Sequence, residues 1–398
     1  MSGVGEDKFF GVLFKQETVK VLRVGLHEWY VKNGRHYIPW KLNIDGTNPQ
    51  HGQELDPYRI WIAEIMLQQT QLKVMLPYWE KWMHVFPTLQ SLNQASEQEV
   101  LLLWQGLGYY SRARRIYQAA KQLLDLIGED DPCEPSSWPH ELGTWMSLPG
   151  IGKTTAGSII SSAFDIRGVL LDGNVKRVLG RLVANSSPEK ESISALWKLS
   201  ELLLDLKKPR QFNQALMDLG AVVCKPRNPN CFDCPWNTFC IAYSSQSPTD
   251  FPVKGSNTLP PRQVIGVGIV FNSSQEVLID QRLNDGLLGG LWEFPGGKQE
   301  PNESIEETIV RELKEELAIE VQVGELLISL EHSYSHKRLC FVVHLCRWLA
   351  GEPQPLQSQQ FRWVKPNTLA KYPFPAANSK IIAALHNHLD KDKFVESS

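Results

Sequence analysis

The chain has 398 residues, enough for two domains with cores of their own. Its 42% apolar and 21% charged content is that of globular protein, which excludes disordered and membrane-spanning classes, and no run approaches the roughly twenty apolar residues of a transmembrane helix. A net charge of −3 excludes a broadly basic nucleic-acid binder, so any DNA contact must come from local basic patches and backbone amides.

Residues 1–18 read as an N-terminal tail that mixes acidic, basic and apolar residues without a signal-peptide pattern, and a cytoplasmic protein is expected. Residues 19–223 read as helical segments punctuated by Gly and Pro. Early in this stretch Asp56 caps a helix begun by Pro57, in DPYRIWIAEIMLQQTQ. Ile60, Glu64 and Gln68 are spaced to share one face of it. Glu64 then stands among Ile60, Ala63 and Leu67, an apolar setting that keeps a carboxyl protonated and fit to act as a general acid. Further on, GLGYYS precedes Arg112, Arg114 and Arg115. Arg112 and Arg114, taken alone, read as a solvated helix face.

Two helical segments meet at Leu148-Pro149-Gly150-Ile151-Gly152. Gly150 and Gly152 let the backbone turn tightly and bring N–H groups against an anion at the start of the next helix, where the dipole helps. Such a turn reads phosphate rather than sequence. Asp172, in LDGNVKR, enters another helix as an N-cap. Together Glu64 and Asp172 offer one neutral and one ionised carboxyl, the acid-and-stabiliser division that glycosidic cleavage requires.

Residues 224–243 carry Cys224, Cys231, Cys234 and Cys240 in a C-x6-C-x2-C-x5-C run stiffened by Pro226, Pro229 and Pro235. Four thiolates gathered so tightly are arranged to wrap a metal centre. A structural zinc is the plainer alternative, but zinc sites usually read as two CxxC-like pairs. This spacing within one short loop fits a single 4Fe–4S cluster. Residues 244–262 are a Ser/Pro/Gly/Asn linker. Residues 263–398 change texture: VIGVGIVF, EVLID, ELLISL, LCFVVHLC and QFRWV read as strands, with helices near Ser304–Leu317 and Asn378–Leu389, an α+β domain.

The strings WIAEIMLQQTQ, GLGYYSRARR, LPGIGKTTAGSI, LDGNVKRVLGR and the cysteine loop together resemble the A/G-specific adenine DNA glycosylases, the MutY family. The resemblance implies a mainly α helix-hairpin-helix glycosylase fold with an iron–sulfur loop, followed by an α+β Nudix-like domain. It implies excision of adenine mispaired with 8-oxoguanine or guanine in double-stranded DNA, by a monomer working on the nucleoid without membrane contact. Glu64 would protonate N7 of an extruded adenine, Asp172 would stabilise the oxocarbenium sugar or capture it transiently, and Asn174 would help orient the site. Gln68, Gln69 and Tyr109 would fill or wedge the stack the base left. Bifunctional relatives place a Schiff-base lysine where this chain has Thr154, and Lys153 beside it is turned away by about 100° on a helix, so a monofunctional enzyme is expected. Ala63 replaces the serine common before the acid, and residues 41–56 carry roughly ten residues more than the family pattern, a loop read as tolerated.

In the second domain Gly297-x5-Glu303-x7-Arg311-Glu312-Leu313-x-Glu315-Glu316 matches the Nudix box, with Ala318 at the usual glycine. Glu312, Glu315 and Glu316 project from one helix face and could hold Mg2+ against a diphosphate. The family reads 8-oxoguanine with an aromatic-Ser-His loop, which Tyr334, Ser335 and His336 match. Lesion reading is the preferred role, and nucleotide hydrolysis the alternative.

Overall fold

Helices form where the sequence supplies a cap and an apolar stripe. In the computed structural model, which describes residues 15–186, 189–253, 261–286, 288–334 and 337–396, the N-terminal part runs through α1 (Gln16–Asn33), α2 (Pro57–Leu67), α3 (Leu72–Val85), α4 (Leu89–Gln94), α5 (Glu97–Trp104), α6 (Ser111–Ile127), α7 (Leu142–Ser147), α8 (Lys153–Phe164), α9 (Gly173–Leu182), α10 (Glu189–Leu203), α11 (Pro209–Asp218) and α12 (Ile241–Ser244). Asp56 caps α2 as expected, accepting from the N–H groups of Tyr58 and Arg59. The helix stops at Leu67, one residue short of the expectation for Gln68. With Gln68, Gln69 and Thr70 the apolar stripe has run out. Gln68 closes the last turn on Ile65, and Gln69 takes a left-handed φ of 58°. Gln68 therefore does not share the helical face of Glu64.

By packing, the described residues fall into two units. One comprises residues 15–74, 83–92 and 118–253. Its core joins Leu22 and Leu26 of α1, Val175 and Leu179 of α9, Leu199 of α10, Phe212 and Leu216 of α11, and Trp236 of the cysteine loop. The ten residues Thr155–Phe164 of α8 are all buried. Many are small, and a Cβ at Gly157 would run into the Val169 carbonyl. After α11 the chain makes one π-helical turn, Leu219–Val223, in which a Cβ at Gly220 would lie 2.6 Å from that of Asn174. Such turns recur at functional sites.

The second unit contains the sheet domain together with residues 75–82 and 93–117. The sequence divides at the linker by texture; packing assigns these two helical pieces to the sheet. Within this unit Trp82 stands edge-on to Trp104, ring centres 5.8 Å apart, and Trp292 of the sheet donates its indole N–H to Gln98 at 3.0 Å. The strands are β1 (Arg262–Phe271), β2 (Val277–Arg282), β3 (Trp292–Glu293), β4 (Gly296–Lys298), β5 (Glu320–Tyr334), β6 (Lys337–Ala350) and β7 (Ser358–Val364), in order β3-β2-β1-β6-β5, with β4 on β1 and β7 on β2. β1 and β6 run parallel, Arg262 opposite Arg338 through Phe271 opposite Arg347. The helix α13 (Ile305–Leu317), with a Ser304–Glu307 capping box, packs Ile309, Leu313 and Leu317 on one face of the sheet. The helix α14 (Ala376–Glu396) packs Ile381 and Leu385 on the other. The five strands and two helices read from the sequence are present. The two-residue β3 and three-residue β4 are too short to leave a periodic signal.

Candidate active site and cysteine loop

A pocket of about 750 Å³ opens in the helical unit, lined among others by Lys41, Glu64, Gln69, Thr154, Ser158, Asp172, Asn174 and Asp218. Glu64 reaches it from α2 and Asp172 from the mouth of α9, so the two carboxylates singled out from the sequence share one cavity. Burial is the main influence on Glu64 and raises its carboxyl to about 7. The charge of Asp172 pushes the same way; the Ser158 hydroxyl and the charge of Lys41 oppose it. Ala63 is fully buried, and Ser158 of α8 lines the same pocket as the acid.

Asp172 is held differently. Burial raises its carboxyl, but Oδ1 accepts from the Val175 N–H at 2.7 Å and Oδ2 from the Asn174 amide at 3.2 Å, bonds that favour the ionised form. Asn174 in turn accepts from Arg177 at 2.8 Å, and the same guanidinium donates to the Gly220 and Cys224 carbonyls at 2.7 Å each. Thr154 lines the pocket with its hydroxyl on the Leu171 carbonyl, while the Lys153 ammonium lies 4.3 Å from the Trp197 ring centre. The one-residue rotation expected between them is present.

Sequence reading missed the floor of this pocket. Asp218, fully buried, accepts from the backbone and guanidinium of Arg35 and from Lys41 at 3.0 Å. Burial pushes the Asp218 carboxyl up, but the two cations and their hydrogen bonds outweigh it and hold it below the usual range. Lys41 is thereby spent largely on Asp218, which leaves Glu64 free to keep its proton. These partners are separated by some 180 positions in the chain, and no local motif marks them.

Gln69 lines the pocket, and Gln68 instead donates to Thr155 at 3.2 Å. At the hairpin, Gly150 has φ 80°, and Gly152 is the N-cap of α8 with no side-chain cap, so the first N–H groups of the helix lack a capping side chain. Tyr109 is exposed on the second unit with φ 49°. Arg112 corrects the reading of a solvated face. It is 6% exposed, stacked over Trp104 and Tyr109, and donates to the Leu107 and Gly108 carbonyls. Ser335 and His336 lie outside the described residues, as does the side chain of Tyr334, whose backbone pairs with Lys337.

All four loop cysteines are free thiols. Burial pushes the Cys234 thiol up to about 12, and the neighbouring Cys224, Cys240 and Cys231 add to it, so the sulfurs feel one another's charge. Among the described residues no three His, Cys, Asp or Glu side chains converge tightly enough for a single ion. The loop is pinned by Arg181, which donates to the Phe251, Lys225 and Pro226 carbonyls and to the Cys224 sulfur, and by Trp236, which donates to the Leu22 carbonyl.

On α13 the Nudix-box carboxylates are already engaged. Arg311 bonds Glu303 at 2.8 Å, Glu312 at 2.9 Å and Glu315 at 3.4 Å. Burial raises Glu316 to about 8, with Glu293 and Glu312 adding to it. Buried Asp280 sits opposite Glu293 across β2 and β3, and burial first and those like charges second hold its carboxyl well up.

A glycine-turned hairpin leading into a helix that lines a pocket with two buried carboxyls is the arrangement of a helix-hairpin-helix DNA glycosylase. The HhH-GPD superfamily of base excision DNA repair proteins matches residues 62–201, and a NUDIX domain matches residues 266–384. The adenine DNA glycosylase of Mus musculus is 32% identical over 93% of this chain and 79% of its own length. The human enzyme is 33% identical over 82% and 67%, and that of Buchnera aphidicola from Schizaphis graminum 38% over 60% and 64%. The chain belongs to the adenine DNA glycosylase family, and it is a DNA-binding, adenine-excising repair enzyme. No helix among the described residues is long and apolar enough to cross a membrane.

Proposed function

We propose that the chain, as a monomer on nucleoid DNA, hydrolyses the N-glycosidic bond of adenine mispaired with 8-oxoguanine or guanine and leaves an uncut abasic site. The observation that carries this reading is the sharing of one pocket by Glu64, raised to about 7 by burial, and Asp172, also raised by burial but hydrogen-bonded by Val175 and Asn174. Glu64 gives its proton to N7 of the extruded adenine, so that the base leaves neutral when the bond from C1′ to N9 breaks. Asp172, whose ionised form the hydrogen bonds from Val175 and Asn174 favour, stabilises the positive sugar until water adds. No amine occupies the place of Thr154 to trap the sugar and cut the strand. Gln68, Gln69 and Tyr109 fill the gap left by the base.

Cys224, Cys231, Cys234 and Cys240 would hold a 4Fe–4S cluster, whose contribution is to fix the loop. Arg177 and Arg181 join that loop to the helix bearing Asp172 and Asn174. Tyr334, Ser335 and His336 are proposed to read the lesion on the family resemblance. The Mg2+ that the box spacing invites would have to displace Arg311, which bonds Glu312 and Glu315.

The test is single-turnover cleavage of a duplex with adenine opposite 8-oxoguanine, read with and without hot alkali. Strand breaks that need alkali and vanish in Glu64→Gln support the reading. Breaks without alkali overturn the monofunctional part, and an intact duplex in both samples overturns the whole.

A further inference from the structure

The turn that presents Tyr109 is built in an unfavourable backbone conformation. Gly106 has φ 103°, Gly108 φ 71° and Tyr109 itself φ 49°, so three residues of four lie in left-handed space. Glycine accepts that conformation, but a tyrosine adopts it when its surroundings impose it. Part of the imposition is local: the Trp104 indole donates to the Gly108 carbonyl at 3.0 Å, and Arg112 grips the Leu107 and Gly108 carbonyls while stacking under the Tyr109 ring.

The rest comes from the sheet domain. Tyr110 is 2% exposed, and its hydroxyl accepts from the Gly106 N–H at 3.3 Å and donates to the Phe374 carbonyl at 3.0 Å. The Phe374 carbonyl is itself fixed. Phe374 is fully buried and stacked on Phe294, and the preceding Pro373 carbonyl accepts the Trp292 N–H at 2.9 Å. Arg114, one turn further along α6, donates to the Asn284 and Gly286 carbonyls of the same domain. The turn carrying Tyr109 is thus anchored, across more than 260 positions of sequence, to the segment that links β7 to α14.

We propose that Tyr110 is a positioning residue through which the Nudix-type domain holds Tyr109 in the conformation that enters the DNA stack. This rests on the reading of Tyr109 as the side chain that fills the gap beside the extruded base. The sheet domain then acts on base extrusion through a hydroxyl remote from any lesion contact, and a loosened anchor lets Tyr109 relax out of its left-handed conformation.

A double-mutant cycle tests this on the full-length chain, using single-turnover excision from an adenine·8-oxoguanine duplex. A 2-aminopurine beside the adenine reports extrusion separately from bond cleavage. Tyr110→Phe keeps the ring and is expected to lower both the extrusion signal and the excision rate by about tenfold, while the protein stays folded at the assay temperature and the pH dependence of the rate stays as in the parent. Tyr109→Ala is expected to lose at least as much. Adding Tyr110→Phe to Tyr109→Ala should then change the rate by less than about twofold, because the group acted upon is gone. A parent-like rate in Tyr110→Phe with a slow Tyr109→Ala overturns the proposal and leaves the role of Tyr109 standing. An undiminished loss from Tyr110→Phe in the Tyr109→Ala background also overturns it. A parent-like Tyr109→Ala overturns the role of Tyr109 and the proposal together.

Discussion

The pocket of the helical unit and the acidic face of α13 both gather carboxylates, yet they treat them in opposite ways. In the pocket, the nearby cations Arg35 and Lys41 are committed to Asp218, so Glu64 keeps a proton to about pH 7 beside a hydrogen-bonded Asp172. On α13, Arg311 is spread over Glu303, Glu312 and Glu315, and its hydrogen bond is the first cause holding Glu303 down to about 2. The first arrangement keeps a proton next to a hydrogen-bonded carboxylate; in the second, Arg311 satisfies Glu303, Glu312 and Glu315, while Glu316 beyond its reach is itself raised to about 8. Carboxylate number does not separate a working site from a stable surface. What separates them is where the neighbouring cations are bound.

The contrast breaks most sharply at Glu64. Glu64→Gln removes the proton donor while keeping the shape, and single-turnover excision is expected to fall by at least about 10³-fold. On α13, Glu312→Gln disturbs a satisfied ion pair and is expected to change excision by less than about twofold. A comparable loss in both variants would erase the distinction.

Stability should sharpen the comparison next. Arg181→Ala leaves the carbonyls of Lys225, Pro226 and Phe251 without their donor, and a loss of about 3 kcal/mol is expected in chemical denaturation. The effect at Glu316 is smaller and has a definite sign. Its carboxyl is raised to about 8 when folded, so the unfolded chain gives up its proton first, and stability falls as pH rises from the ordinary carboxylate range towards 8. Glu316→Gln should therefore melt higher than the parent at alkaline pH, by roughly 2 kcal/mol after allowance for solvent screening, and match it in acid. Parallel melting curves at both pH values would show that Glu316 is not strained.

Much of this was legible because the informative residues are local. Asp56 and Pro57 start α2, Gly150 and Gly152 make the hairpin, and Asp172 caps α9, each a signal contained within one turn of chain. Glu64 was legible from its apolar neighbours. The supporting layer was not, because Asp218 meets Arg35 and Lys41, and Arg181 meets the cysteine loop, over separations that no periodicity encodes. Arg112 shows the same limit. Its neighbours in sequence suggest a solvated face, but Trp104 and the turn at Gly108 enclose it. The assignment of residues 93–117 to the sheet domain likewise depends on Tyr110 and Gln98 finding partners far along the chain.

The central claim is that Glu64 works as a protonated acid, and the pH dependence of single-turnover excision tests it most directly. The rate should hold steady below about pH 7 and fall about tenfold per unit above it, as the Glu64 proton is lost. Asp172, whose carboxyl is also raised by burial, should set a separate decline on the acid side. A rate that crosses neutrality unchanged, or an inflection that survives in the residual activity of Glu64→Gln, would contradict it.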